Sequence, residues 1–109
     1  MPRLSGAAPA ALALCLLLAA SPWVQAQTPD PNLARNLAAT CANCHGTNGN
    51  ARGEMKPLAG RPAAATIALM TQYSNGGLPA TIMHQIAKGY TEQQIKLIAD
   101  FLAAQPPKK

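Results

Sequence analysis

The segment ATCANCHGTNG, Ala39 to Gly49, decides how this chain is read. Two cysteines, Cys41 and Cys44, stand three positions apart, and His45 follows the second directly. One helical turn separates the two thiols, so both emerge on one side of the backbone, with the imidazole beside them. A run of glycine and asparagine from His45 to Gly53 then ends any helix and forms a loop.

The ends of the chain say where this segment works. The chain has 109 residues, enough for one small domain. Arg3 is the only charged side chain before an apolar run from Ala7 to Ala20, and WVQAQ (Trp23 to Gln27) offers small residues for cleavage after Ala26. A basic start, an apolar middle and a small-residue end predict a secretory signal peptide over residues 1–26. The run is too short for an easy membrane span, and nothing after it is long and apolar enough for one. Residues 27–109 are then the exported domain, in the periplasm. Cys15 leaves with the signal, and only Cys41 and Cys44 remain. Without Arg3, eight basic residues face four acidic ones, a charge of +4. Basic groups are sparse and aromatics few, which argues against a nucleic-acid partner. Lys108 and Lys109, after Pro106-Pro107, read as a frayed, solvated tail.

The remaining pattern is helical. Asp30 is placed to cap a helix with Pro31 at its first position. Leu33, Leu37 and Cys41 recur at helical spacing, which predicts one helix running to the His45 loop. Pro62 opens a second helix, with Ile67 and Met70 on one face, ended near Ser74 by Asn75-Gly76-Gly77. A short helix is expected from Pro79 to Lys88. Thr91 and Gln94 form a capping box for the last helix. Ile95, Ile98 and Leu102 make its apolar stripe, widened by Leu97 and Phe101. Glu92 and Lys96 are spaced for an ion pair. The prediction is all-α, about four helices with long loops. A domain this small builds a thin core and often needs a staple. Long loops and a thin core together point to a group other than side chains in the middle.

Three chemistries compete for the cysteines. Structural zinc needs four ligands, and only Cys41, Cys44, His45 and His84 are on offer, two of them adjacent. A redox dithiol of the thioredoxin kind needs a strand before it and a βαβ unit around it, which the pattern lacks. Covalent attachment of haem through two thioethers, with His45 ligating the iron, fits the spacing. A second axial ligand then has four candidates: Met55 in a loop, Met70 on an apolar helix face, Met83 after a glycine-rich turn, and His84. Met83 has enough chain before it to reach the other haem face and is favoured. His84 next to it is expected to face solvent or a haem edge. Histidine plus methionine raises the reduction potential and leaves no open iron position, which favours one-electron transfer over catalysis. If Met83 is not a ligand, a five-coordinate gas-binding or catalytic haem protein is the alternative.

ATCANCHGTNGN, PLAGRP and ATIMHQIAKGYT, followed by IADFLAAQ, resemble the small bacterial class I cytochromes c. The likeness is greatest to the cytochrome subunit of flavocytochrome c sulfide dehydrogenases, and it covers nearly all of residues 27–109. The resemblance implies that Cys41 and Cys44 are the thioether cysteines of a single haem c. It implies His45 as the proximal ligand and Met83 as the distal one. Pro57 falls in the loop that packs near the proximal histidine, where a backbone carbonyl would hold its second nitrogen. Leu58 and Ile67 would line the haem, and Phe101 would pack the last helix against the first around Leu33 and Leu37. Lys56, Arg61 and Lys88 would ring the exposed haem edge. The partner implied is a flavoprotein dehydrogenase subunit that takes electrons from sulfide, or another periplasmic redox protein. A free shuttle to a terminal oxidase or other reductase is the alternative. Some relatives carry two haem domains, whereas this chain has one Cys-x-x-Cys-His, and Arg61 stands where relatives often have glutamine.

Overall fold

A computed structural model describes residues 1–2 and 28–109. Residues 3–26 of the expected signal peptide, Cys15 among them, lie outside the described residues. Among the described residues five α-helices follow one another: α1 Leu33–Ala39, α2 Ala42–His45, α3 Ala63–Ser74, α4 Met83–Lys88 and α5 Glu92–Ala103. A 3-10 turn, Thr47–Gly49, follows α2. No strand occurs among the described residues. The all-α prediction holds, with one more helix than expected.

The extra helix comes from a joint in the first one. Thr40 and Cys41 keep right-handed helical dihedrals. The hydrogen bonding tightens there instead: the N–H of Cys41 reaches back only to Ala38, and that of Cys44 only to Cys41. The Thr40 hydroxyl donates to the Leu37 carbonyl at 3.1 Å, a side-chain bond that competes with the regular ladder. The start of α1 also differs from the sequence reading. The Asp30 carboxylate accepts from Asn32 N–H at 2.8 Å, a local turn, and the helix begins at Leu33 rather than Pro31. Similarly, α4 begins at Met83 and not at Pro79.

The last helix carries both halves of the core. Its Thr91 side chain accepts from the Gln94 N–H while the Gln94 side chain accepts from the Thr91 N–H, the expected capping box. Thr91→Ala should cost about 1 kcal/mol, lowering the melting temperature by roughly 4–8 °C in a domain of this size. Thr91→Ser should restore it, as read by a thermal melt. One face of α5 meets α1, burying Ala38, Ile98 and Leu102, with Leu37 and Phe101 packed alongside. The next face meets α3 and α4, burying Met70, Ala87 and Ile95, with Ile67 and Met83 alongside. Tyr90 touches both clusters. The core is therefore split in two around α5.

Three expectations fail on the surface. Leu33 was expected to pack on the last helix, yet it is 43% exposed. It sits in the first turn of α1, while the contact with α5 is made further along by Leu37 and Ala38. Lys96 pairs with Asp100 at 2.7 Å and not with Glu92. Both carboxylates lie one turn away, and Glu92 stays in the first turn, where the positive end of the helix favours it. The tail is not frayed up to Lys108: Asn50 binds the Pro106 carbonyl and the Lys108 N–H.

Candidate functional site

Between the two half-cores lies a cleft of about 770 Å³, within the range of cofactor sites. Cys41, Cys44 and His45 line it from the joint between α1 and α2, and Met83 lines it from the start of α4. Cys41 packs with the α1–α5 half, Met83 with the α3–α4 half. The cleft thus brings together all four residues singled out from the sequence.

Local structure explains how the motif is presented. Gly46 ends α2 with φ at +78°, and a Cβ there would collide with the Asn50 carbonyl oxygen. Only glycine permits this reversal, which sends the chain away directly after His45. The chain then returns as a loop whose Leu58 and Ala59 N–H groups bond the Gly49 carbonyl. That return places the Lys56 carbonyl 2.7 Å from His45 Nδ1. A carbonyl only accepts, so Nδ1 carries the ring proton and Nε2 keeps a lone pair for a metal. The carbonyl anticipated near Pro57 is therefore the one just before it. Pro57's own carbonyl accepts from Arg61 Nη2 at 3.4 Å. Burial pushes the Cys41 thiol above its ordinary pKa, against the smaller lowering effects of the Thr40 side chain and the backbone.

Another wall of the cleft comes from α3. Thr66, Leu69, Met70 and Tyr73 line the cleft, and Ile67 does not. Ile67 instead packs against the Met70–Ala87–Ile95 cluster. One position along a helix turns the side chain by roughly 100°, so apolarity alone chose the wrong neighbour. Leu58 lines the cleft as expected, but Pro57 does not; it borders a separate surface hollow beside the C-terminal tail. The other sulfur candidates also line the cleft, Met70 8% exposed within the core and Met55 44% exposed. His84 neither lines the cleft nor turns fully to solvent: it is half-buried, and its Nδ1 is buried without a partner. Tyr90, a wall residue the sequence reading did not pick out, pairs its hydroxyl with that of Thr40.

The chemistry of this lining selects among the three readings. Lys56 and Arg61 line the cleft, Lys88 does not, and no Asp or Glu is among the lining residues. An apolar wall with two cations suits a large apolar group bearing carboxylates. Thr66 is 6% exposed, with its hydroxyl unpartnered, a cost that suggests an incomplete wall. No group of three or more His, Cys, Asp or Glu side chains suited to a metal ion occurs among the described residues, which argues against zinc. The thioredoxin-like reading lacks its strand. Two free thiols, an imidazole with a bare Nε2 and a thioether around one apolar cleft fit haem c.

Comparison with known proteins points the same way. The family model described as cytochrome c oxidase, cbb3-type, subunit III matches residues 29–102. The chain is 35% identical over 65 residues to the cytochrome subunit of sulfide dehydrogenase from Chlorobaculum tepidum, covering 60% of this chain and 59% of that protein. It is 38% identical over 64 residues to cytochrome c-552 from Acidithiobacillus ferridurans, covering 59% of this chain and 28% of that one. Among solved structures, cytochrome c4 of Acidithiobacillus ferrooxidans matches with a TM-score of 0.59 and 31% identity, over 66% of this chain and 49% of the other. The chain thus spans less than two thirds of the length of each of these relatives.

Proposed function

This chain belongs to the cbb3-type cytochrome c family, and we propose that it carries single electrons in the periplasm on one haem c ligated by His45 and Met83. Its fold is that of a class I cytochrome c, its family carries covalent haem c, and its relatives are electron carriers or cytochrome subunits rather than complete enzymes. The partner proposed is a flavoprotein dehydrogenase subunit acting on sulfide. The likeness to the Chlorobaculum tepidum subunit supports it. Among the described residues no helix is long and apolar enough to cross a membrane.

The observation that carries the reading is the split core, with Cys41 and His45 on one side of the cleft and Met83 on the other. Bound haem supplies an iron that alternates between ferric and ferrous. The chain's residues do the rest. Cys41 and Cys44 would hold the haem through thioethers, each S–H adding across one vinyl group, an addition that needs no oxidant. The Lys56 carbonyl holds the Nδ1 proton and so fixes the ring and raises its basicity. Met83 would offer its thioether to the iron and so close the site to small molecules. Lys56 and Arg61 leave the mouth positive, which draws an acidic partner surface by charge. Such encounters are brief and small in area.

The test is export together with haem-maturation machinery. The purified protein should keep its haem after denaturation, and it should be reduced and reoxidised by one electron. The Cys41→Ser/Cys44→Ser double variant should lose covalent haem entirely. Retention of haem by that variant, or a wild-type protein that never acquires haem, overturns the reading. Sulfide plus a purified flavoprotein subunit should then reduce the haem faster at low salt than at high salt.

A further inference from the structure

The carbonyl that holds His45 sits on a segment with little support of its own. No backbone–backbone hydrogen bond ties residues 51–57 to any other described residue. Lys56 is exposed, and its carbonyl bond to His45 Nδ1 and the long Pro57–Arg61 contact are the segment's polar ties to the rest of the described residues. The position of that carbonyl therefore depends on how the segment is anchored at its two ends.

Both ends are fastened to the C-terminus of the chain. At the far end, Gly60 N–H donates to the Leu102 carbonyl at 3.0 Å. Pro107 lies so close over Gly60 that a Cβ there would meet its Cγ at 2.6 Å. At the near end, the side chain of Asn50 makes two bonds to the tail. Its Oδ1 accepts from Lys108 N–H at 2.7 Å, and its Nδ2 donates to the Pro106 carbonyl at 3.2 Å. Residues 51–53, Met55 and Pro57 then face Pro107 and Lys108 across a shared hollow. The tail beyond α5 is thus a strap, and Asn50 is its buckle.

We infer that Asn50 is a positioning residue for His45: by clamping residues 106–108 across the loop, it fixes the Lys56 carbonyl against Nδ1. This rests on the proposed role of His45 as iron ligand. An amide is suited to the task because it offers one acceptor and one donor from a single side chain, matching an N–H and a carbonyl two residues apart. A firm carbonyl bond at Nδ1 makes the ring a stronger donor to the metal, and a more basic ligand favours the ferric state. Loosening the strap therefore raises the reduction potential while leaving the ligands in place.

The experiment compares the wild-type holoprotein with Asn50→Ala and with a chain ending at Gln105. Three readouts are taken: the visible spectrum, the reduction potential, and solvent exchange of the His45 ring N–H in the reduced protein by proton NMR. Both variants should keep low-spin bands, show a higher potential, and exchange the ring proton at least tenfold faster. The double variant should match the truncated chain, because truncation already removes both of Asn50's partners along with Pro107. A lower melting temperature with unchanged potential and unchanged exchange would make the strap structural only and overturn the inference. Additive effects of the two changes would also overturn it. A wild-type protein without covalent haem is a different failure, that of the functional reading itself.

Discussion

Met83→Ala should turn a low-spin, six-coordinate protein into one with an open iron position. The oxidised spectrum should lose its sulfur-to-iron charge-transfer band, and the reduced form should bind carbon monoxide. Met83 is the candidate because it begins α4, lines the cleft and packs with the half-core that does not hold the cysteines. Met70 and Met55 also line the cleft, but Met70 is buried in the α3–α4 half-core and Met55 is 44% exposed, while His84 is outside the lining. A thioether favours ferrous iron, so its loss should lower the reduction potential. The fall should exceed the ~59 mV that a tenfold shift in a one-electron equilibrium represents. Covalent haem should be retained, since Cys41 and Cys44 are untouched. A Met83→Ala protein that stays low-spin and refuses carbon monoxide would remove Met83 from the ligand set.

Leu102→Ala should be the most destabilising single change in the scaffold. Leu102 is 1% exposed and is the largest fully buried side chain among the described residues. It packs with Ala38 and Ile98, lines the cleft, and its Cδ2 would lie 3.0 Å from a Cβ at Gly49. Truncation removes contacts from the α1–α5 half-core, the cleft and the Gly49 turn at once. Deleting a buried leucine side chain costs roughly 2–5 kcal/mol, depending on how far the site collapses. That is a large share of what a domain of this size possesses. Leu33→Ala is the control: at 43% exposure it should shift stability by no more than ~0.5 kcal/mol. Thermal melts of the two holoproteins decide the matter. Equal losses would mean that the packing of α1 on α5 runs through Leu33 after all.

The features legible in the sequence are those set by neighbours along the chain. The Thr91–Gln94 capping box needs only one turn of backbone, and it forms as read. Pro62 starts α3 and Asn75 ends it, because proline and the Asn-Gly-Gly run act on their own dihedrals. Cys41, Cys44 and His45 share a side for the same reason. Where two local options were equally near, the sequence was silent: Lys96 had a carboxylate one turn away on each side and took Asp100. The joint at Thr40 also escaped notice, since its dihedrals are those of a helix and only the hydrogen bonding changes.

What this sequence determines by itself is the all-α fold, the bounds of α3 and the start of α5, and the side chains that its central motif presents. Each follows from interactions within a turn or two of backbone. Tertiary structure decided the rest: that Lys56 rather than Pro57 supplies the carbonyl to His45, that Thr66 rather than Ile67 faces the cleft, and that Asn50 grips a tail 56 and 58 residues away. These depend on distances between segments remote in the chain. A helical side chain knows from its neighbours only that it is apolar. Which of two buried surfaces it meets is settled when the helices pack.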